Sequence, residues 1–268
     1  MGIHSHIQLS NLVLNCFRDD TDPEGKVWYL DLLSGEIRRK PAKRLGTEKG
    51  YYSADVESFW NKTVEDPFGK LNQRVRSFCS GEQSTLPLSL QDTETAKQYI
   101  KAAMVRSKLA NKVMLENSFL APRLSEQDRH DMLAILAMQL TSAFDQMFAN
   151  SSIMAIFNRA DRRMVVPRNC YYADPCWGSL SAIAPISPQC ALALLPKKIA
   201  EMQNEGCFVI NDSKQVERMN VCALKYEYMF NADFVASSRR EELELLQQFR
   251  IKKLSALREL TEENHLKK

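Results

Sequence analysis

The chain has 268 residues, 44% hydrophobic and 26% charged, the balance of a folded globular protein with length for one large core or two small ones. A net charge of +3 is too small to argue for nucleic acid, whose binders carry a concentrated basic face. No apolar run approaches the roughly 18 residues of a membrane-spanning helix, and Met1–His6 lacks the basic start and apolar core of a secretory leader, so the expectation is a cytoplasmic protein without membrane contact.

In chain order, Leu9, Leu12, Val13 and Phe17 predict a first helix over His6–Phe17, ended by the turn cluster Asp19–Gly25. Val27–Leu32 and Glu36–Lys40 flank Leu33-Ser34-Gly35 as a small β-hairpin. Asp31 and Glu36 would face each other at its mouth, with Arg38 or Lys40 compensating their charge. A long amphipathic helix follows from Ser53 to about Arg76, burying Phe59, Leu71 and Val75. Cys79–Gln91 reads as a loop, Asp92–Phe119 as a helical block, and Ala121-Pro122 as its break. Ser125 with Asp128 caps a further helix through Met132, Ile135 and Leu136, apolar on more than one face and so expected at the centre of the core. Beyond Asn150 the pattern changes: Ile153–Phe157, Met164–Val166, Ala182–Ile186, Ala191–Leu195, Cys207–Ile210 and Phe234–Ser237 read as short strands. A helix from Asp212 or Ser213 to about Asn231 precedes the last of them. A closing helix over Arg239–Leu260 carries Leu243, Leu246, Phe249, Leu254, Leu257 and Leu260 in one stripe that wants a partner, the chain's own core or another subunit. The fold class is α+β: a helix-rich first half with a hairpin, a mixed second half, and a long C-terminal helix. One domain over 1–268 is expected, with 1–149 and 150–268 as the alternative division.

Neither common phosphate-loop pattern occurs, and no metal-ligand spacing of the Cys-pair or H-E-x-x-H type occurs. The seven scattered cysteines read as reduced thiols. Cys170 and Cys176 lack a second close pair. His4 and His6, with His130 beside Asp128 and Asp131, are the remaining imidazole candidates, against terminal and helix-surface roles. The carboxylates carry more. Glu57, Asn61 and Glu65 fall on one side of the long helix, and Glu48 stands close before it; such oxygens would take Mg²⁺ or Mn²⁺, while a solvated helix face is the plain alternative. Arg38, Arg39 and Lys40, followed by Lys43 and Arg44, are a phosphate-contacting patch or an exposed turn. Asn220 and Asn231, near three turns apart, would face one pocket or serve as caps.

Several segments together resemble one bacterial family, domain-of-unknown-function family 4238. They are His6–Phe17, Gly25-Lys26-Val27-Trp28-Tyr29-Leu30-Asp31, Ser34-Gly35-Glu36-Ile37-Arg38, and Glu48, Lys49, Tyr52 and Ser53. Val56-Glu57, Val64-Glu65, Leu124-Ser125-Glu126, Pro185-Ile186-Ser187-Pro188, and Asn220 with Asn231–Val235 complete the order. The chain departs from the family where Gln139–Ala143 lacks an arginine and where Val166–Cys170 stands in place of a Thr-Ser-Asp-Asn-Pro segment. If that aspartate and arginine belong to an active site, the protein is divergent or inactive. The resemblance implies a bacterial accessory protein in a phage-defence setting. The expected function is thus an effector with metal-dependent, nuclease-like hydrolysis at Glu48, Glu57 and Glu65. Its binding residues would be His6, Arg38, Arg39, Lys40, Lys49, Tyr52, Asn61 and Asn220. The alternative is a non-enzymatic protein that recognises a phage or host component.

Overall fold

Long apolar stretches in the second half leave no room for polar alternation, so the strands they form must be covered on both faces. In the computed structural model, which describes residues 4–6, 11–49, 51–79, 81, 88–106, 125–139, 148–174, 181–201, 207–229 and 232–249, this is what happens. Strands β5 (Ser151–Asn158), β7 (Ala182–Ser187), β8 (Cys190–Pro196) and β9 (Cys207–Ile210) form a sheet in the order β7-β8-β5-β9, antiparallel except for the β5–β9 pair. Because successive strand residues point to opposite faces, Ala155, Phe157, Leu192 and Leu194 join one core and Met154, Ile156, Ala191 and Ala193 the other.

The first core is completed by α3 (Asp66–Cys79) and α4 (Leu90–Val105), through Phe68, Leu71, Val75, Tyr99 and Ile100. The second is completed by α7 (Ser213–Met229) and α8 (residues 240–249), through Val216, Met219, Ala223, Leu243 and Leu246. Helices thus cover both faces of the sheet. The short helix α6 (Lys197–Glu201) follows β8 directly.

A second sheet has the order β3-β2-β10-β6, from β2 (Lys26–Asp31), β3 (Ile37–Pro41), β6 (Val166–Pro167) and β10 (Phe234–Ser237). The hairpin is therefore half of a sheet whose other strands come from beyond residue 150. Its turn is held by Asp31, whose Oδ1 accepts the Leu33 and Ser34 amides at 2.9 Å, and by Gly35 at φ 77°. Arg38 pairs with Glu36 and lies 4.0 Å from Asp31, the charge compensation expected at this mouth.

Four expectations are corrected. His6 belongs to β1 (His4–His6), paired antiparallel with β4 (Thr47–Lys49); helix begins only at α1 (Asn11–Leu14), continued by a 3₁₀ turn at Asn15–Phe17. The long helix is divided: α2 (Ala54–Trp60) passes through a π turn at Asn61–Glu65 into α3. The wider turn carries Trp60, Val64 and Phe68 inward, leaving Phe59 42% exposed and Asn61 on the surface. Helix α5 (Glu126–Gln139), capped as expected by Ser125 and Asp128, leaves Ile135 48% exposed, so the centre of the core is the β5–β8 sheet instead. Strand β6 is Val166–Pro167, so of the predicted run Met164–Val166 only Val166 is strand. Residues 107–124 and 250–268, which hold the Ala121-Pro122 break and the outer half of the closing helix, lie outside the described residues, as does Asn231.

Candidate functional site

Two polar assemblies stand out, one buried and one open. The buried one absorbs the carboxylates singled out from sequence. Arg106, at the end of α4, is 5% exposed and in helical register with buried Tyr99 and Ala103, so its guanidinium is carried into the core. It pairs with Glu65 at 3.4 Å and lies 5.6 Å from the Tyr52 ring and 5.1 Å from the Trp60 ring. Burial opposes its charge, but Tyr52, Glu65 and Glu57 together outweigh that and raise its pKa. Burial likewise raises the Tyr52 hydroxyl, against the pull of Arg106. Glu57, Glu65 and Tyr52 thus converge, but on a cation the chain supplies itself. Ser53, the N-cap of α2, donates its amide to Asp131 Oδ1 at 2.9 Å, which ties α5 to this corner; His130 stacks on Tyr51 at 3.8 Å.

Glu48 joins a different arginine. Arg168, 4% exposed, ion-pairs with Asp233 and lies 3.8 Å from Glu48. The next residue, Asn169, donates its backbone amide and Nδ2 to Glu227 Oε1 at 3.3 and 3.0 Å. Glu227 is fully buried, and burial lifts its carboxyl to about 8, with Asn169 and Arg168 pulling the other way. Cys170 follows at φ 66°, an uncommon conformation for a residue with a Cβ. Its thiol lies 3.8 Å from the Arg168 carbonyl oxygen.

The remaining sequence candidates are dispersed. Arg38, Arg39 and Lys40 lie exposed on β3, an edge strand, where such charges guard against pairing with other chains. Arg39 is engaged by Asp19 and Asp22 and covers the Trp28 ring at 4.7 Å. His6 and Lys49 are placed by strand register opposite Thr47 and His4. Asn61 is exposed at the start of the π turn, whereas Glu57 and Glu65 are half-buried. Asn220 is buried at 4% exposure; its Oδ1 accepts the Val165 amide at 3.0 Å and its Nδ2 donates to the Arg163 carbonyl at 2.8 Å. Among the described residues no group of three or more His, Cys, Asp and Glu is placed to hold a metal ion.

The open assembly is a basin of about 530 Å³ between α3, the β7–β8 turn and the segments at 18–21 and 238–239. Arg18, Arg76, Arg163 and Arg239 line it, with the hydroxyls of Ser77, Ser187 and Ser238 and the amides of Gln73 and Gln189. Asp19 and Asp20 also line it; Asp19 is held below its ordinary pKa by Thr21 and turned toward Trp28 Nε1 at 2.9 Å and Arg39 at 3.2 Å. None of the four basin arginines makes an ion pair with a described residue, whereas Arg162 beside them pairs with Glu242 at 3.6 Å. The backbone of Arg163 is fixed from both sides, its amide donating to Glu242 Oε1 at 3.0 Å and its carbonyl accepting from Asn220. These arginines come from four separate stretches of chain, and no local pattern marks them. Arg106 did carry a signal, since a helical block that buries Tyr99 and Ala103 must bury it too. In comparison with known proteins, no family model, curated protein or solved structure matches this chain.

Proposed function

We propose that the protein recognises a phosphate-bearing ligand of about nucleotide size in the arginine basin. The observation that carries this reading is the convergence of Arg18, Arg76, Arg163 and Arg239 on a cavity of about 530 Å³, four guanidinium groups against the two carboxylates of Asp19 and Asp20, with none of the four ion-paired to a described residue. Ligand sites are commonly 300 to 1,000 Å³, and guanidinium groups match phosphate oxygens in geometry as well as charge. The hydroxyls of Ser187 and Ser238 and the glutamine amides on the same wall add neutral polar groups. The setting proposed is bacterial accessory defence, as the resemblance to family 4238 suggests, with nucleic acid or a phage component as the source of the phosphate. Calorimetric titration with inorganic pyrophosphate tests the binding. Affinity that falls steeply with added salt is expected, and absence of heat at low salt would refute the reading.

A second reading keeps the hydrolytic chemistry at Glu48, Glu57 and Glu65. It is favoured by one observation, the meeting of Glu57 and Glu65 around Arg106 beside Tyr52. Its test is digestion of DNA and RNA by the purified chain with Mg²⁺ or Mn²⁺, set against a Glu57→Gln/Glu65→Gln variant of equal solubility. Cleavage present in the wild type and lost in the variant supports it; intact substrates under both metals reject it.

A further inference from the structure

The wall of the basin contains chemistry that anion recognition does not use. Helix α3 ends at Cys79, a half-buried residue that lines the basin, with its Sγ 3.1 Å from the carbonyl oxygen of Gln189. The residue after Gln189 is Cys190, which opens β8 and is fully buried. Its Sγ lies 3.9 Å from the carbonyl of Val75, the group that accepts the Cys79 amide in the regular i→i−4 ladder of α3. Each thiol therefore reaches the backbone beside the other, which sets the two side chains next to one another. We propose that Cys79 is a peroxide-reactive thiol and Cys190 its resolving partner, joined on oxidation by a disulfide between the end of α3 and the β7–β8 turn.

The two sulfurs differ in the sense the chemistry needs. The neighbouring Cys190 side chain lowers the Cys79 thiol below its ordinary pKa against the effect of burial, and Arg159, Arg163 and Arg76 lower it further. The neighbouring Cys79 side chain and burial raise Cys190. The thiolate is the attacking species in thiol oxidation. Cys79 thiolate attacks one oxygen of hydrogen peroxide, breaking the O–O bond and releasing hydroxide, which takes up a proton as water. Cys79 is left as a sulfenic acid. Cys190 then loses its proton to the departing hydroxyl as its sulfur attacks the Cys79 sulfur, giving the disulfide and a second water. Two thiols lose two hydrogens and two electrons; the peroxide gains them.

Cys16 is a built-in control. It lines the same basin, but burial raises its thiol, and it donates to the Leu12 carbonyl at 3.3 Å. A coupling to ligand follows, and this part rests on the phosphate-binding reading: Arg76 and Arg163 cannot serve both the Cys79 thiolate and a bound phosphate, so each disfavours the other. Pyrophosphate is expected to slow iodoacetamide labelling of Cys79 by several-fold.

The experiment treats the full chain with hydrogen peroxide, blocks remaining thiols, and maps peptides by mass. The expected product is a Cys79–Cys190 linked peptide, two hydrogens lighter than its parts, formed before Cys16 is touched. In Cys190→Ser, dimedone should trap Cys79 as sulfenic acid; Cys79→Ser, which alters a half-buried helix end, should abolish the link and leave Cys190 unoxidised. Absence of the linked peptide, or equal oxidation of Cys16, would overturn the proposal. A linked peptide whose formation pyrophosphate does not slow upholds the thiol pair and counts against the phosphate reading of the basin.

Discussion

Glu227 offers the sharpest test of the buried network. Its carboxyl is fully buried, accepts two hydrogen bonds from Asn169 through Oε1, and is lifted from 4.5 to about 8 chiefly by burial. In the unfolded chain it ionises near its ordinary value, so between these limits the native state holds a proton that the unfolded state has released. Stability contributed at this site is therefore present in acid and lost as pH rises from about 4.5 to 8. Each pH unit in that window is worth about 1.4 kcal/mol, so the loss between pH 5 and pH 8 comes to roughly 4 kcal/mol. Glu227→Gln keeps an acceptor for both Asn169 donors and removes the titration. At pH 5 the variant should lie below the wild type by about 1–3 kcal/mol, the cost of its extra buried amide hydrogens. The stability difference should then move in the variant's favour by roughly 4 kcal/mol by pH 8. Urea unfolding of both proteins at matched pH values measures this directly, because groups common to both cancel. A difference that stays constant from pH 5 to pH 8 would refute the account of Glu227 as a neutral buried acid.

Arg106→Met should fill the same space but leave Glu57 and Glu65 without their shared cation, at a cost of about 3–5 kcal/mol and a clear fall in thermal midpoint; an unchanged midpoint would mean that the two carboxylates find solvent without it. Ser89→Ala removes the reciprocal cap in which Ser89 and Asp92 exchange hydrogen bonds at the start of α4, and should cost about 1 kcal/mol by urea unfolding.

What was readable in the chain was read from local pattern. Cys207–Ile210 and Phe234–Ser237 fall where the apolar runs put them, and the hairpin at Leu33-Ser34-Gly35 follows from its turn residues and a glycine at positive φ. Pairings across the chain were not readable. Nothing in Phe234–Ser237 says that its partner is Lys26–Asp31, and nothing in His4–His6 says strand, because the Thr47–Lys49 segment that pairs with it is itself short and polar. The π turn cost the site reading most. A regular helix puts Glu57, Asn61 and Glu65 on one side, and one wider turn was enough to keep the two glutamates with Arg106 while turning Asn61 outward. Asn220, a candidate for its chemistry, is a clip that fixes the 163–165 backbone, and through it one basin arginine.

The basin and the β3 edge are rival basic surfaces, and one comparison separates them. Pyrophosphate is titrated calorimetrically into the wild type, into Arg76→Gln/Arg163→Gln, and into Arg38→Gln/Lys40→Gln at the same low salt. A hydrogen bond to a charged group contributes about 1.5–3 kcal/mol, so loss of two basin arginines should weaken binding by roughly a hundredfold or more, with the β3 variant close to the wild type. Equal affinity in the basin variant, or binding lost only in the β3 variant, would contradict the assignment of the basin as the phosphate site.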